Sequence, residues 1–210
     1  MAGGRAKRKR IGCVGELTAL IEGLTSEQAI ALGALRDDLP DEIRIVTKAA
    51  LANGPINGAV ARTGDNLVYR PGRPALVLFD YDLKGMPGEV AQRVAAAGSF
   101  WAGLTSVLPA LASTGHLLRL STSAGLSRTD TGATFPGSGG LHVYVTIKDG
   151  ADAVRFLQTL HARCWLAGFG WMVVGSAGQL LERSIIDRMV GAAERLVFEG
   201  PPVVEPPLRH

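Results

Sequence analysis

The stretch Pro74-Ala-Leu-Val-Leu-Phe-Asp-Tyr-Asp-Leu-Lys-Gly85 constrains this chain more than any other. Ala75 to Phe79 are apolar without alternation, the pattern of a central strand buried on both faces, although a run this short also suits a helix. Gly85, Pro87 and Gly88 follow at once and stop a helix, so the spacing predicts a strand that ends in a loop. Side chains two apart on a strand point the same way. Asp80 and Asp82 therefore present two carboxylates on one face, with Cα atoms about 6.5 Å apart. Such a pair repels itself, and a hard divalent cation such as Mg²⁺ or Mn²⁺ would relieve the repulsion. The bland alternative is two solvated aspartates in a polar turn.

A chain of 210 residues suits one domain, or one catalytic core made of two small lobes. With 47% hydrophobic and 20% charged residues it reads as a soluble globular protein rather than a disordered one. No apolar segment approaches the roughly 18 residues of a membrane span, and the N-terminus carries no signal-peptide apolar region. The expected location is cytoplasmic. Cys13 and Cys164 imply no disulfide framework, and His161-x-x-Cys164 lacks the second ligand pair of a structural zinc site. The net charge of +3 comes from Arg5, Lys7, Arg8, Lys9 and Arg10; without them 17 basic residues face 19 acidic ones. Residues 1–13 are thus expected as a basic flexible tail, either a phosphate-contacting arm or simply a disordered end, before a domain over 14–208.

Along that domain, Val14 to Leu24 reads as an amphipathic helix, and Thr25-Ser-Glu-Gln28 has the form of a capping box opening a second helix toward Leu35. Ile43 to Thr47 fits a helix or a strand. Val60-Ala-Arg62 and Leu67-Val-Tyr69 flank Thr63-Gly-Asp-Asn66 as a predicted hairpin. Glu89 to Leu111 is mostly helical with a break near Gly98, and His116 to Ser121 is a strand. Thr122 to Gly140 forms a long Ser/Thr/Gly loop of the kind that is often functional. His142 to Ile147 alternates as a strand, and Asp149-Gly150 turns it into a helix from about 151 to 167. Ala153, Phe156, Leu157, Leu160 and Cys164 form that helix's buried stripe. Trp171 to Val174 is a strand, Gly178 to Met189 a helix, and Arg195 to Phe198 a last strand. The alternation of strands and helices argues for an α/β sheet protein.

Two further stretches carry chemistry. Gly137-Ser-Gly-Gly-Leu-His142 is a flexible turn delivering a histidine onto the first position of a strand. Its glycines let backbone amides approach an anion, and Ser138 adds a hydroxyl. His142, Tyr144 and Thr146 share one face of that strand. In the stretch from Glu182 to Phe198, Asp187 could supply the third carboxylate that a two-metal site wants, and Arg195 a charge for phosphates. The alternative for this run is an exposed helix laced with Glu/Arg pairs.

Taken in order, Leu78-Phe-Asp80-Tyr-Asp82, Ser138-Gly-Gly-Leu-His142-Val-Tyr and Ile185-Ile-Asp187 resemble the three motifs of the archaeo-eukaryotic primase superfamily, the primase-polymerases. Leu83-Lys-Gly-Met-Pro87 and Glu194-Arg-Leu-Val-Phe-Glu-Gly200 are similar to its plasmid and phage branch. The resemblance spans roughly Val60 to Pro207. It implies an α/β (α+β) fold with an RRM-like palm sheet, flanking helices and an N-terminal α/β lobe. It implies template-directed nucleotidyl transfer that makes or extends primers on single-stranded DNA from NTPs or dNTPs. Asp80, Asp82 and Asp187 would bind two Mg²⁺ or Mn²⁺ ions; Ser138, His142, Lys148 and Arg195 would hold the nucleotide; Arg62, Arg119 and Arg128 are candidates for the template strand. This chain places three residues between Ser138 and His142 where the family motif has one, so Ser121 and Ser123 rival Ser138. It also lacks the zinc-binding cluster that many members carry.

Other readings are a non-catalytic replication-initiation or single-stranded-DNA-binding module on the same fold, and a nicking enzyme on a related palm-like sheet. The latter needs a paired-histidine metal site, and the four histidines at 116, 142, 161 and 210 are not adjacent. The Pro-rich stretch from Glu199 to Leu208 reads as a cut linker, with a helicase or template-binding region expected downstream.

Overall fold

The computed structural model describes residues 3–81, 83–135 and 139–210, so Asp82 and Ser138 lie outside the described residues. The fold is α+β. At its centre is an antiparallel three-stranded sheet in which Leu141–Ile147 lies between Ala75–Tyr81 and His116–Leu120. The expected order is thus corrected: the histidine strand is central, and the apolar Ala75 run is its neighbour. The burial follows the position, because His142, Val143, Tyr144 and Val145 are all buried despite their alternating chemistry. Ala75–Tyr81 still buries Val77, Leu78 and Phe79 completely. Its outer edge is covered near the end by the Asp187 amide, which donates to the Asp80 carbonyl at 3.0 Å.

Helices cover one face of this sheet. Phe79 meets Phe156 of the helix Ala153–Leu166, and Tyr81 stacks on Phe100 with ring centroids 4.3 Å apart. Ala153, Leu157, Leu160 and Cys164 of that helix are buried, as its periodicity predicts, with Phe156 partly so. The Ala-rich stretch divides into Gly88–Ala96 and Phe100–Val107. Gly98, at φ +97°, makes the break, a backbone conformation that other residues reach only with strain. The next helix then starts on the Ser99 hydroxyl, which accepts from the Ala102 amide at 3.0 Å.

Four other expectations are corrected. The helix toward Leu35 does not form. The Gln28 side chain does return to the Thr25 amide at 3.0 Å, but the chain beyond it pairs at long range, Ile30–Ala31 with Leu196–Val197 and Ala34–Leu35 with Leu67–Val68. Tertiary pairing overrides a local start signal worth at most a kcal/mol or so. The hairpin over Val60–Tyr69 also fails. The turn at Thr63–Asn66 sends Ala59–Ala61 parallel to Glu42–Val46 and Leu67–Val68 to a different partner. Glu42–Val46 resolves the choice between helix and strand at Ile43–Thr47.

The region from Gly178 to Met189 is a strand, Leu180–Ser184, paired antiparallel with Gly170–Val174, followed by a 3₁₀ turn at Arg188–Gly191. Its Glu182 and Arg188 do form an ion pair, at 3.2 Å, but not along a helix. Finally, the basic N-terminal stretch is a strand from Gly3 to Lys7, antiparallel to Glu42–Val46. Arg5 pairs with Glu42, and Arg8 reaches Asp41 and the carbonyls of Leu35 and Arg36. Opposite charges on the neighbouring strand hold what composition alone suggested would be loose. Among the described residues no helix is long and apolar enough to cross a membrane.

Candidate active site

Three motifs that are far apart in sequence meet at one end of the sheet. Asp80, His142 and Arg119 stand opposite one another across the three strands, because His142 is in register with both Asp80 and Arg119. Residues in register project to the same face, and this is the face away from Phe156 and Phe100. His142 Nε2 lies 3.6 Å from Asp80 Oδ1. Asp187 is brought alongside by the hydrogen bond its backbone N–H donates to the Asp80 carbonyl, and its own Oδ1 accepts from the Met189 amide at 2.8 Å, capping the 3₁₀ turn.

The segment before Asp187 is held from below. Ser184 Oγ donates to the Ile186 carbonyl at 3.0 Å and so accepts from His161 Nδ1–H at 2.9 Å. Ile185 and Ile186 are fully buried. His161 Nε2 is buried with no partner, and burial lowers the pKa of the ring. The folded protein therefore refuses a proton that the unfolded chain accepts near the ordinary histidine value of about 6.5. Stability is fullest above that pH and falls as the pH drops through it toward the lower folded value. Unfolding by urea between about pH 7 and pH 5 should lose stability more steeply in the wild type than in His161→Asn. Parallel slopes would show that the neutral buried ring is not the source.

Sequence reasoning missed Glu199. Its side chain is fully buried beneath the histidine strand and accepts from His142 Nδ1 at 2.6 Å and from the Tyr144 hydroxyl. Its other oxygen faces Arg119 Nε at 3.3 Å, and Arg119 Nη2 donates to the Glu199 carbonyl at 3.2 Å. Burial first, then the charge of Glu199, pushes the Tyr144 phenol far up, so Tyr144 remains a donor at every ordinary pH. The one available signal was a carboxylate directly after the apolar Leu196-Val-Phe198 run and before Gly200-Pro-Pro, where the chain has to come in close.

The other expected residues divide. Ser121 lies beside the entry to the histidine strand: its amide donates to the Gly140 carbonyl at 2.9 Å and its hydroxyl lies 3.4 Å from that of Ser123. The sheet thus brings the Ser-Thr-Ser rivals to the site. Lys148 is not brought there; it follows the opposite end of the strand, on the order of 20 Å from His142 at the usual rise per residue. Arg119 is committed to Glu199 rather than open to a template. Arg62 donates to the Glu194 carbonyl at 2.9 Å, and Arg128 pairs with Asp130 on the surface. Arg195 is exposed at the start of the segment leading to Glu199. A separate open cleft lined by Arg10, Arg36, Arg70 and Arg73 has Arg36 and Arg70 already paired with Asp38 and Asp37.

As a metal site, this end of the sheet offers Asp80 and Asp187 on adjoining backbones. Oxygen donors of this kind fit Mg²⁺ or Mn²⁺ rather than a metal that prefers thiolate or imidazole. Among the described residues no group of three His, Cys, Asp or Glu side chains stands at ligand spacing, and Asp82, the third expected carboxylate here, is outside them. Comparison with protein-family models, curated proteins and solved structures found no match.

Proposed function

We propose that this chain is a primase-polymerase catalytic domain, performing template-directed nucleotidyl transfer on single-stranded DNA with NTPs or dNTPs. The observation that carries this reading is the convergence of Asp80, His142 and Asp187, residues of three separate motifs, through one strand register and one backbone hydrogen bond. The order strand, helices, strand, strand, helix, with the third strand in the middle, supports an RRM-like palm.

Asp80, Asp82 and Asp187 would hold the two divalent ions, which when bound supply Lewis-acid activation of the 3′-hydroxyl and charge neutralisation of the triphosphate. The chain's own groups do the positioning. His142 Nε2, when it carries a proton, would donate to a phosphate oxygen, and the Ser121 hydroxyl lies beside the same strand end. Arg195 is the remaining candidate cation for the pyrophosphate. The 3′-hydroxyl gives up its proton to solvent as its oxygen bonds to the α-phosphorus, the bond from that phosphorus to the oxygen bridging to the β-phosphorus breaks, and pyrophosphate leaves.

The test is primer synthesis and extension on single-stranded DNA with labelled NTPs or dNTPs and Mg²⁺ or Mn²⁺. Metal-dependent products support the proposal, and the preferred sugar separates primase from polymerase. No product, with single-stranded DNA still bound, would favour the non-catalytic binding module instead.

A further inference from the structure

Among the described residues Glu199 is the only buried carboxylate. We propose that Glu199 is a positioning residue for His142, clamping the ring through Nδ1 so that Nε2 is presented beside Asp80; this rests on the primase-polymerase reading of the site. An ionised carboxylate oxygen can only accept, so its 2.6 Å contact places a proton on Nδ1 and turns Nε2 toward Asp80 Oδ1 at 3.6 Å, where it can donate to an oxygen only by carrying a proton of its own. An unclamped imidazole can flip about χ2 and exchange its two nitrogens; a partner on Nδ1 removes that freedom.

The clamp is itself fixed from several sides. The Tyr144 hydroxyl donates to the oxygen that holds the ring, and Arg119 Nε stands against the other oxygen. Arg119 Nη2 and the Thr122 hydroxyl hold the carbonyls of Glu199 and Phe198, the latter at 2.6 Å. The backbone that carries the carboxylate is thus tied to the strand and loop that flank His142. A carboxylate used only to anchor the chain end would make the same backbone contacts, so the test has to isolate the ring.

Two measurements do so. Long-range ¹H–¹⁵N correlation of the wild-type imidazoles, with the His142 signals assigned by their loss in His142→Gln, is expected to place a proton on Nδ1. A proton on Nε2 alone overturns the proposal. In steady-state nucleotide incorporation, Glu199→Gln should lower kcat about tenfold and Glu199→Leu about a hundredfold, the range typical of groups that orient a reacting side chain. In a His142→Ala background neither should lower kcat further, because no ring remains to be oriented. Equal losses with and without His142 overturn the proposal and assign Glu199 to folding alone. Should Glu199→Leu not fold, Glu199→Gln, which keeps the side-chain volume, carries the comparison. A wild type that incorporates no nucleotide defeats the polymerase reading, and with it the role in catalysis. The nitrogen measurement still decides whether Glu199 holds the ring.

Discussion

Asp80→Asn and Asp187→Asn are each expected to abolish nucleotide incorporation while leaving the fold in place. Asn keeps the shape of Asp and loses the charge, so a divalent ion loses the hard anionic oxygen it prefers. A loss on the order of a thousandfold in kcat corresponds to about 4 kcal/mol of transition-state stabilisation, a reasonable share for one ligand in a two-metal centre. Folding should be spared because the contact joining the two residues is made by backbone. The Asp187 amide donates to the Asp80 carbonyl, and neither atom changes in the variants. The Asp80 side chain is also about a quarter exposed, so its neutralisation empties no core. Incorporation assays beside thermal unfolding check both halves. Activity within a few fold of wild type in either variant would remove that carboxylate from the centre.

The second large effect concerns a residue with no functional group. Gly200→Ala is expected to destabilise the fold by about 3 kcal/mol and to impair incorporation as well. A Cβ at Gly200 would stand 2.1 Å from the Thr25 carbonyl oxygen and 2.5 Å from its carbon. These are backbone atoms, and the same carbonyl accepts from the Gln28 amide at 3.1 Å, so they have little room to give. The added methyl has to push the segment away, and Glu199 is its immediate neighbour. Displacing Glu199 strips the accepting oxygen from His142 and Tyr144 and leaves buried donors unpaired. Urea unfolding, read at the midpoint with the slope unchanged, measures the first effect; incorporation by the folded fraction measures the second. A change below about 0.5 kcal/mol would show that the two backbones do not need this approach.

The fold was legible in the sequence where one element decided its own form. The helix at 153–166 followed from a 3.6-residue stripe, the break at Gly98 from a residue free to take positive φ, and the Ala75 strand from an apolar run closed by Gly and Pro. The same local reasoning failed at Thr25–Leu35 and Gly178–Met189. There, start signals and charge spacing suggested helices, but the available partners were strands remote in sequence. The Ala75 run, expected at the centre of the sheet, stands beside the central strand for a related reason. Alternation described the chemistry of His142 and Tyr144 but not their burial, which follows from the central position of their strand.

By itself the sequence determined a mixture of strands and helices and which side chains share a strand face, because a period of two fixes the facing of His142 with Tyr144 whatever surrounds them. It also singled out Asp80, His142 and Asp187 as residues worth placing. Only the tertiary structure decided that Asp80 and His142 stand in register, that Asp187 is tied to the Asp80 backbone, and that Lys148 is left at the far end. It alone placed Glu199 under the histidine. Register and chain return are set by contacts between residues far apart in sequence, and a one-residue slip of a strand would turn its own side chains to the opposite face.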